Sequence, residues 1–243
     1  MLDLDCFDWI SFDCYGTLVD WETGIADAVG GVLAAHGVHR SRGEILALYS
    51  AIEPRVQAAQ PSRRYRDVLR EVMVAIGDEV GVRGTAPELD CLADSLPRWP
   101  VFPDVPDALR ALGARHKLAV ISNVDDDLFA GSAARLGVGF DAVVTAEQVG
   151  AYKPDLRNFE AASDRMGVER ARWLHVAESL YHDIGPANRL GVACVWVDRP
   201  GRGGATRPTD AVPDLVVPDL AALARMVGPG GAPGSDANAP PTV

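Results

Sequence analysis

Five short apolar runs, each closing on polar residues, constrain this chain more than anything else in its sequence. They cover residues 9–12, 118–121, 142–144, 173–176 and 192–197, with a weaker run at 215–217. Most are rich in Val, Ile and aromatic residues and lack clean polar alternation, as strands buried on both faces do. Helical patterns fall between them, at 105–115 behind a candidate Asp104 cap, 126–136, 156–166 and 183–190. Strand alternating with helix predicts an α/β fold built on a parallel sheet.

Residues 21–99 break that rhythm. They read as consecutive helices at 22–36, 44–53, 65–79 and roughly 87–96. The economical architecture is a core of residues 1–19 and 100–226 with a helical insertion, 20–99, placed after strand one. The stretch 227–243 holds four Gly and four Pro among 17 residues. It has too little apolar side chain to offset its ordering entropy, so a disordered tail is expected there.

Composition narrows the partners. Lys plus Arg number 23 and Asp plus Glu 34, a net charge of −11. With no basic excess to neutralise phosphates, nucleic acid is excluded as a partner. No run reaches the roughly 18 apolar residues of a membrane span. Met1-Leu2-Asp3-Leu4-Asp5 is acidic and too short for a secretory signal. Cys6, Cys14, Cys91 and Cys194 form no C-x-x-C pair and no zinc spacing with histidine, which fits free thiols in the cytoplasm.

Ligands of open parallel sheets bind beyond the carboxyl ends of the strands. Strand one ends in Asp13-Cys14-Tyr15-Gly16-Thr17 and strand two in Ser122-Asn123. Tyr152-Lys153-Pro154 follows strand three, and Glu178-Ser179-Leu180-Tyr181-His182-Asp183 follows strand four. One Asp after a strand is usually a turn residue, and one Lys usually a solvated surface group. Four strand ends bringing carboxylates, a hydroxyl, an amide and an ammonium to one rim are a site.

These segments resemble the four motifs of the haloacid dehalogenase-like superfamily, over about residues 9–197 and in the expected order. The resemblance implies a Rossmann-like core with a helical cap inserted after strand one. It implies Asp13 as a nucleophile that forms a covalent ester or acyl phosphate. Thr17 and Ser122 would hold nucleophile and substrate, Lys153 would orient Asp13 and offset its charge, and Asp183 would act in hydrolysis or hold a metal. Tyr15, Trp21, Asn123, Glu178, Tyr181 and His182 are the expected substrate contacts.

Phosphatases of the superfamily carry a second Asp two positions after the nucleophile, where this chain has Tyr15. A phenol with a pKa of about 10 is a poor general acid at neutral pH. Displacement at carbon needs no such acid when a halide or an already protonated amine departs. Asp-x-Tyr-Gly-Thr resembles the 2-haloacid dehalogenase branch, which implies a small carboxylate substrate and no cofactor, and admits a homodimer. That branch carries a halide-binding cap arginine, but here Leu48-Tyr49 is followed by Ser50, and Arg55 lies too far along the helix to face the same way. Within the branch, Asp13–Ile25, Trp99–Asp104 and Ala177–Asp183 are most similar to the L-azetidine-2-carboxylate hydrolases, which open a strained cyclic amine. The other reading is a Mg²⁺-dependent phosphatase in which Asp13, Glu178 and Asp183 hold the metal.

Remaining residues carry ordinary explanations. Tyr49, Trp99, Phe102 and Tyr152 are as well explained by packing as by substrate contact. Arg63, Arg64 and Arg66 read as a solvated helix start more readily than as an anchor for a substrate carboxylate. Arg199, Arg202 and Arg207 lie in a Gly-rich loop without a phosphate-binding pattern, which reads as a mobile surface loop. His36, His39, His116 and His175 are expected to be structural or solvated.

Overall fold

The six apolar runs form a single all-parallel sheet in a computed structural model that describes residues 2–59, 62–199 and 209–227. In chain order the elements are β1 (Trp9–Phe12), α1 (Trp21–Ala35), α2 (Arg42–Ala59), α3 (Tyr65–Val80), α4 (Ala86–Leu89), α5 (Cys91–Ser95) and α6 (Val105–Gly113). They continue as β2 (Lys117–Ser122), α7 (Asp126–Leu136), β3 (Ala142–Thr145), α8 (Ala146–Val149), α9 (Arg157–Met166) and β4 (Trp173–Ala177). The last are α10 (Gly185–Leu190), β5 (Ala193–Val197), β6 (Leu215–Val217) and α11 (Leu220–Ala224). The expected disordered tail lies, apart from Val227, outside the described residues, as do Arg202 and Arg207. Among the described residues no helix is long and apolar enough to cross a membrane.

The strand order is β3-β2-β1-β4-β5-β6. The chain winds outward from β1 to β3, then returns to the other side of β1 as β4. The crevice at this reversal, above the carboxyl ends of β1 and β4, is where such sheets bind ligands. Helices cover both faces, so β1 and β4 are buried along their whole lengths and their apolar runs need not alternate.

Helices α1 to α5 are inserted between β1 and β2, as the interrupted rhythm predicted. Asp20 starts α1 by accepting the Thr23 amide at 3.0 Å and the Thr23 hydroxyl at 2.7 Å. Gly24 lies so near the Trp99 indole that a Cβ would come within 2.2 Å of it. Three boundaries differ from the sequence pattern. The helix expected to stop at 53 runs through Pro54 to Ala59, because a proline removes one backbone bond and packing against α3 holds the rest. The helix expected at 87–96 breaks at Asp90, whose backbone (φ −90°, ψ 0°) ends α4 and begins α5. The helix expected at 183 begins three residues earlier, as a π-turn over Leu180–Ile184.

Two carboxylates that stand at helix starts, the expected cap Asp104 and Asp125, serve other elements. The Asp104 side chain makes no capping bond to α6; it takes Arg199 Nη1 at 3.0 Å and the Leu220 amide at 2.8 Å, so Arg199 is a buried ion-pair partner and not part of a mobile surface loop. Asp125 precedes α7 but caps α3 instead, accepting the Tyr65 amide at 2.8 Å and the Arg66 amide at 2.9 Å. Arg64 and Arg66 both pair with Asp127, and Tyr152 donates its hydroxyl to the Arg63 carbonyl at 2.6 Å. The pairs of Arg64 and Arg66 thus clasp the inserted helices to α7 rather than anchor a substrate. Because Asp125 is 1% exposed, Asp125→Ala strands two donors. It is expected to cost about 2 kcal/mol in urea unfolding followed by tryptophan fluorescence, with Asp125→Asn losing less.

Candidate active site

A cavity of about 260 Å³ opens over the carboxyl ends of β1 and β4. Asp13, the first residue past β1, stands at its floor because the Asp13 amide continues the ladder to Val176 of β4 at 3.1 Å. Gly16, at φ +102°, then turns the chain sharply, and a Cβ there would lie 3.2 Å from the Trp21 indole nitrogen and 3.3 Å from Glu178 Oε2. The turn also brings Thr17 back behind Asp13. Its hydroxyl donates to Asp13 Oδ2 at 2.8 Å and accepts the Glu178 amide at 2.9 Å, tying β1 to β4.

Lys153 is the charge centre. It is 2% exposed, and its ammonium donates to Asp13 Oδ1 at 2.8 Å, Asp183 Oδ1 at 2.7 Å and the Ile121 carbonyl at 2.8 Å. Three donors meet three acceptors, so the ammonium is fixed. Burial works to lower the Lys153 pKa, but the two carboxylates outweigh it and hold the group above its ordinary value. Burial lifts Asp13 above the usual carboxylate range against the pull of Lys153. For Asp183 burial pushes upward too, yet Lys153 and the bond from His175 prevail and keep it low. The two carboxyl groups are therefore driven apart in acidity.

The walls are largely aromatic: Tyr15, Trp21, Tyr49, Tyr65, Trp99 and Tyr181 all line the cavity. Tyr15 stacks edge-on against Trp99 and shares its hydroxyl with Ser132 of α7 at 3.0 Å. Burial raises its pKa well above the phenol value. Tyr15 thus puts a ring beside Asp13 while its hydroxyl is engaged elsewhere. The charged lining among the described residues comprises Asp13, Glu53, Glu178, Asp183 and Lys153, and no arginine. Arg55 bonds back to the Ala51 carbonyl at 3.0 Å and lies outside the lining. Also among the described residues, no three His, Cys, Asp or Glu side chains gather as a metal cage would.

Residues 7–191 match the haloacid dehalogenase-like hydrolase family. The chain belongs to this family. Among its haloacid dehalogenase-like relatives, the (S)-2-haloacid dehalogenase of Pseudomonas sp. strain YL is 29% identical over 238 residues, covering 92% of this chain and 95% of the relative. The L-2-haloacid dehalogenase of Xanthobacter autotrophicus, solved with chloropropionic acid covalently bound, superposes with a TM-score of 0.76 at 25% identity, over 91% of this chain and 98% of that one. A defluorinating L-2-haloacid dehalogenase shares the fold at a TM-score of 0.79 and 24% identity, over 91% and 95%.

Of the site residues expected for this haloacid dehalogenase-like hydrolase, Asp13, Tyr15, Trp21, Ser122, Asn123, Lys153, Glu178, Tyr181, His182 and Asp183 all line the cavity. Thr17 stands behind them, fully buried. Asn123 is engaged by the backbone of Lys153, donating to its carbonyl at 3.1 Å and accepting its amide at 2.6 Å. That pairing positions the lysine. His182 Nδ1 shares a bond with the Ser179 hydroxyl at 3.0 Å. Sequence reasoning missed Glu53, Gln57 and Tyr65. The signal for two of them was present: Tyr49, Glu53 and Gln57 recur at i, i+4, i+8 and so share one face of α2.

Proposed function

We propose that this chain hydrolyses a small carboxylate by displacement at the carbon next to the carboxylate, through an ester on Asp13. One observation carries the reading: Asp13 is fixed by Lys153 and Thr17 at the floor of an aromatic cavity where the position used for a proton donor holds Tyr15, its hydroxyl shared with Ser132. A leaving group that needs a proton from the enzyme is ill served there. A halide or a ring ammonium is not.

Asp13 attacks, the bond from carbon to the leaving atom breaks, and its electron pair leaves with that atom. The carbon inverts and becomes esterified to Asp13. Water then adds to the carboxyl carbon of Asp13. One of its protons passes to Asp183 and then to the departing 2-hydroxy oxygen, the other is released as Asp13 returns to a carboxylate, and Asp13 keeps one oxygen from water. The Ser122 hydroxyl oxygen, buried without a hydrogen-bond partner among the described residues, is the group for the substrate carboxylate. The helices of residues 20–99 serve as the cap that keeps bulk water out.

Between the two leaving groups, the acidic lining favours the amine. Glu53 and Glu178 place carboxylate acceptors in the lining, which suit the N–H groups of a cyclic ammonium and offer nothing to a departing halide. The substrate proposed is therefore L-azetidine-2-carboxylate or a close cyclic amino acid, with 2-haloacids as the second substrate class. Lys153 supplies the counter-charge, so no metal is called for. Turnover in the presence of a chelator, with one ¹⁸O retained in the Asp13 peptide after a single turnover in heavy-oxygen water, is the expected result. Hydrolysis of a phosphomonoester that stops with chelator and returns with Mg²⁺ would replace this reading with the phosphatase.

A further inference from the structure

We propose that His175 is a positioning residue for the hydrolytic half-reaction, holding Asp183 through a directed hydrogen-bond chain that begins at Trp173. The β1–β4 register sets Ser11 opposite His175, so the two side chains meet on one face of the sheet. Trp173, Ser11 and His175 are fully buried. Trp173 Nε1 donates to Ser11 Oγ at 2.7 Å, Ser11 Oγ lies 2.7 Å from His175 Nδ1, and His175 Nε2 lies 3.0 Å from Asp183 Oδ1. Phe159 packs edge-on against the imidazole at 4.9 Å and fixes the ring plane.

The direction of the chain follows from which groups can only donate or only accept. The Asp183 carboxylate only accepts, so a neutral His175 places its proton on Nε2 and accepts at Nδ1, where the Ser11 hydroxyl, already taking the donor-only Trp173 indole on one lone pair, donates. With Nδ1 accepting, the imidazole proton sits on Nε2 and points at Asp183. Asp183 Oδ1 then receives both His175 and Lys153, while Asp183 Oδ2 is buried and has no hydrogen-bond partner among the described residues. Asp183 lines the cavity. Oδ2 is consequently the oxygen left to accept a hydrogen bond from the attacking water. A histidine that merely satisfied its own burial would need no such one-way chain, and nothing in its effect would distinguish ester formation from ester hydrolysis.

The assignment rests on the Asp13 ester proposed above, and two measurements separate them. The first needs no substrate: ¹⁵N NMR of the full-length protein at pH 8 is expected to show the Nε2–H tautomer of His175, with the population shifting toward Nδ1–H in Ser11→Ala. An Nδ1–H tautomer in the native protein overturns the chain whether or not the substrate is right. The second uses intact-protein mass with L-azetidine-2-carboxylate and with a 2-haloacid. His175→Leu is expected to form the adduct at near-native rate, slow its hydrolysis on the order of 10²-fold, and so accumulate it, since general acid–base help of that size is forfeited. His175→Gln, whose amide can still donate toward Asp183, is expected to clear the adduct faster. If His175→Leu does not fold, Ser11→Ala is read in its place, with smaller accumulation expected. Folded variants that turn over without accumulating adduct, or that lose both steps equally, overturn the proposal. Failure of the native protein to form any adduct removes the ester reading alone, with the tautomer result still standing.

Discussion

Asp13→Asn is expected to lower turnover by ~10⁴-fold or more, because the amide keeps the shape of the side chain but is no longer an anionic nucleophile. The fold should survive. Lys153 keeps Asp183 and the Ile121 carbonyl, and Thr17 keeps an oxygen to donate to. Intact-protein mass should show no adduct with any substrate that labels the native protein. The ionisation of the same group sets the acid limb of the native reaction. In the proposed mechanism only the carboxylate attacks, and burial raises the Asp13 pKa, so kcat/KM is expected to fall as pH drops through a value above the ordinary carboxylate range. A native-like rate in Asp13→Asn would remove that residue from the chemistry altogether.

Lys153→Met should be the most damaging single change to stability among the site residues. It removes an ammonium from between two carboxylates, leaving Asp13 and Asp183 buried with like charge and no cation between them. Removing one partner of a buried pair typically costs 3–5 kcal/mol, about the size expected here in urea unfolding at pH 8. The sign of its pH dependence is fixed. Without Lys153, desolvation and mutual repulsion put the folded-state pKa of these carboxyls above the unfolded one, so the native protein binds protons more tightly. The deficit should be full above the raised folded value and shrink as pH falls toward the unfolded carboxylate range near 4. A deficit equal at pH 5 and pH 8 would mean that the lysine acts through packing alone. Turnover should be lost at both.

Much of this was legible in the chain. The runs at 9–12, 126–136 and 215–217 are β1, α7 and β6 to the residue; apolar periodicity reports burial, complete in β1 and confined to one face of α7, while the edge strand β6 buries only Val217. The rim residues Asp13, Ser122, Lys153 and Asp183 were legible for a topological reason: in a parallel sheet the strands end, and the segments that follow them start, at the same edge. The failures have one cause too. Pro54 and Asp90 were misread because local rules rank a proline or an unbroken apolar pattern without the neighbouring helix that decides the outcome. Asp104 and Asp125 were read, or passed over, by their own helix starts, while their carboxylates serve partners 95 and 60 residues away in sequence.

What the sequence by itself determined is the α/β fold and the set of groups presented along one rim, since both follow from local periodicity and the residue after each strand. What only the tertiary structure decided is how those groups pair. Lys153 meets Asp13 across 140 residues, and Ser11 meets His175 across 164. Tyr15 offers its hydroxyl to Ser132 rather than to the reaction. Pairing sets protonation and hydrogen-bond direction, and those depend on distances and desolvation that no stretch of chain contains until it is folded against the others.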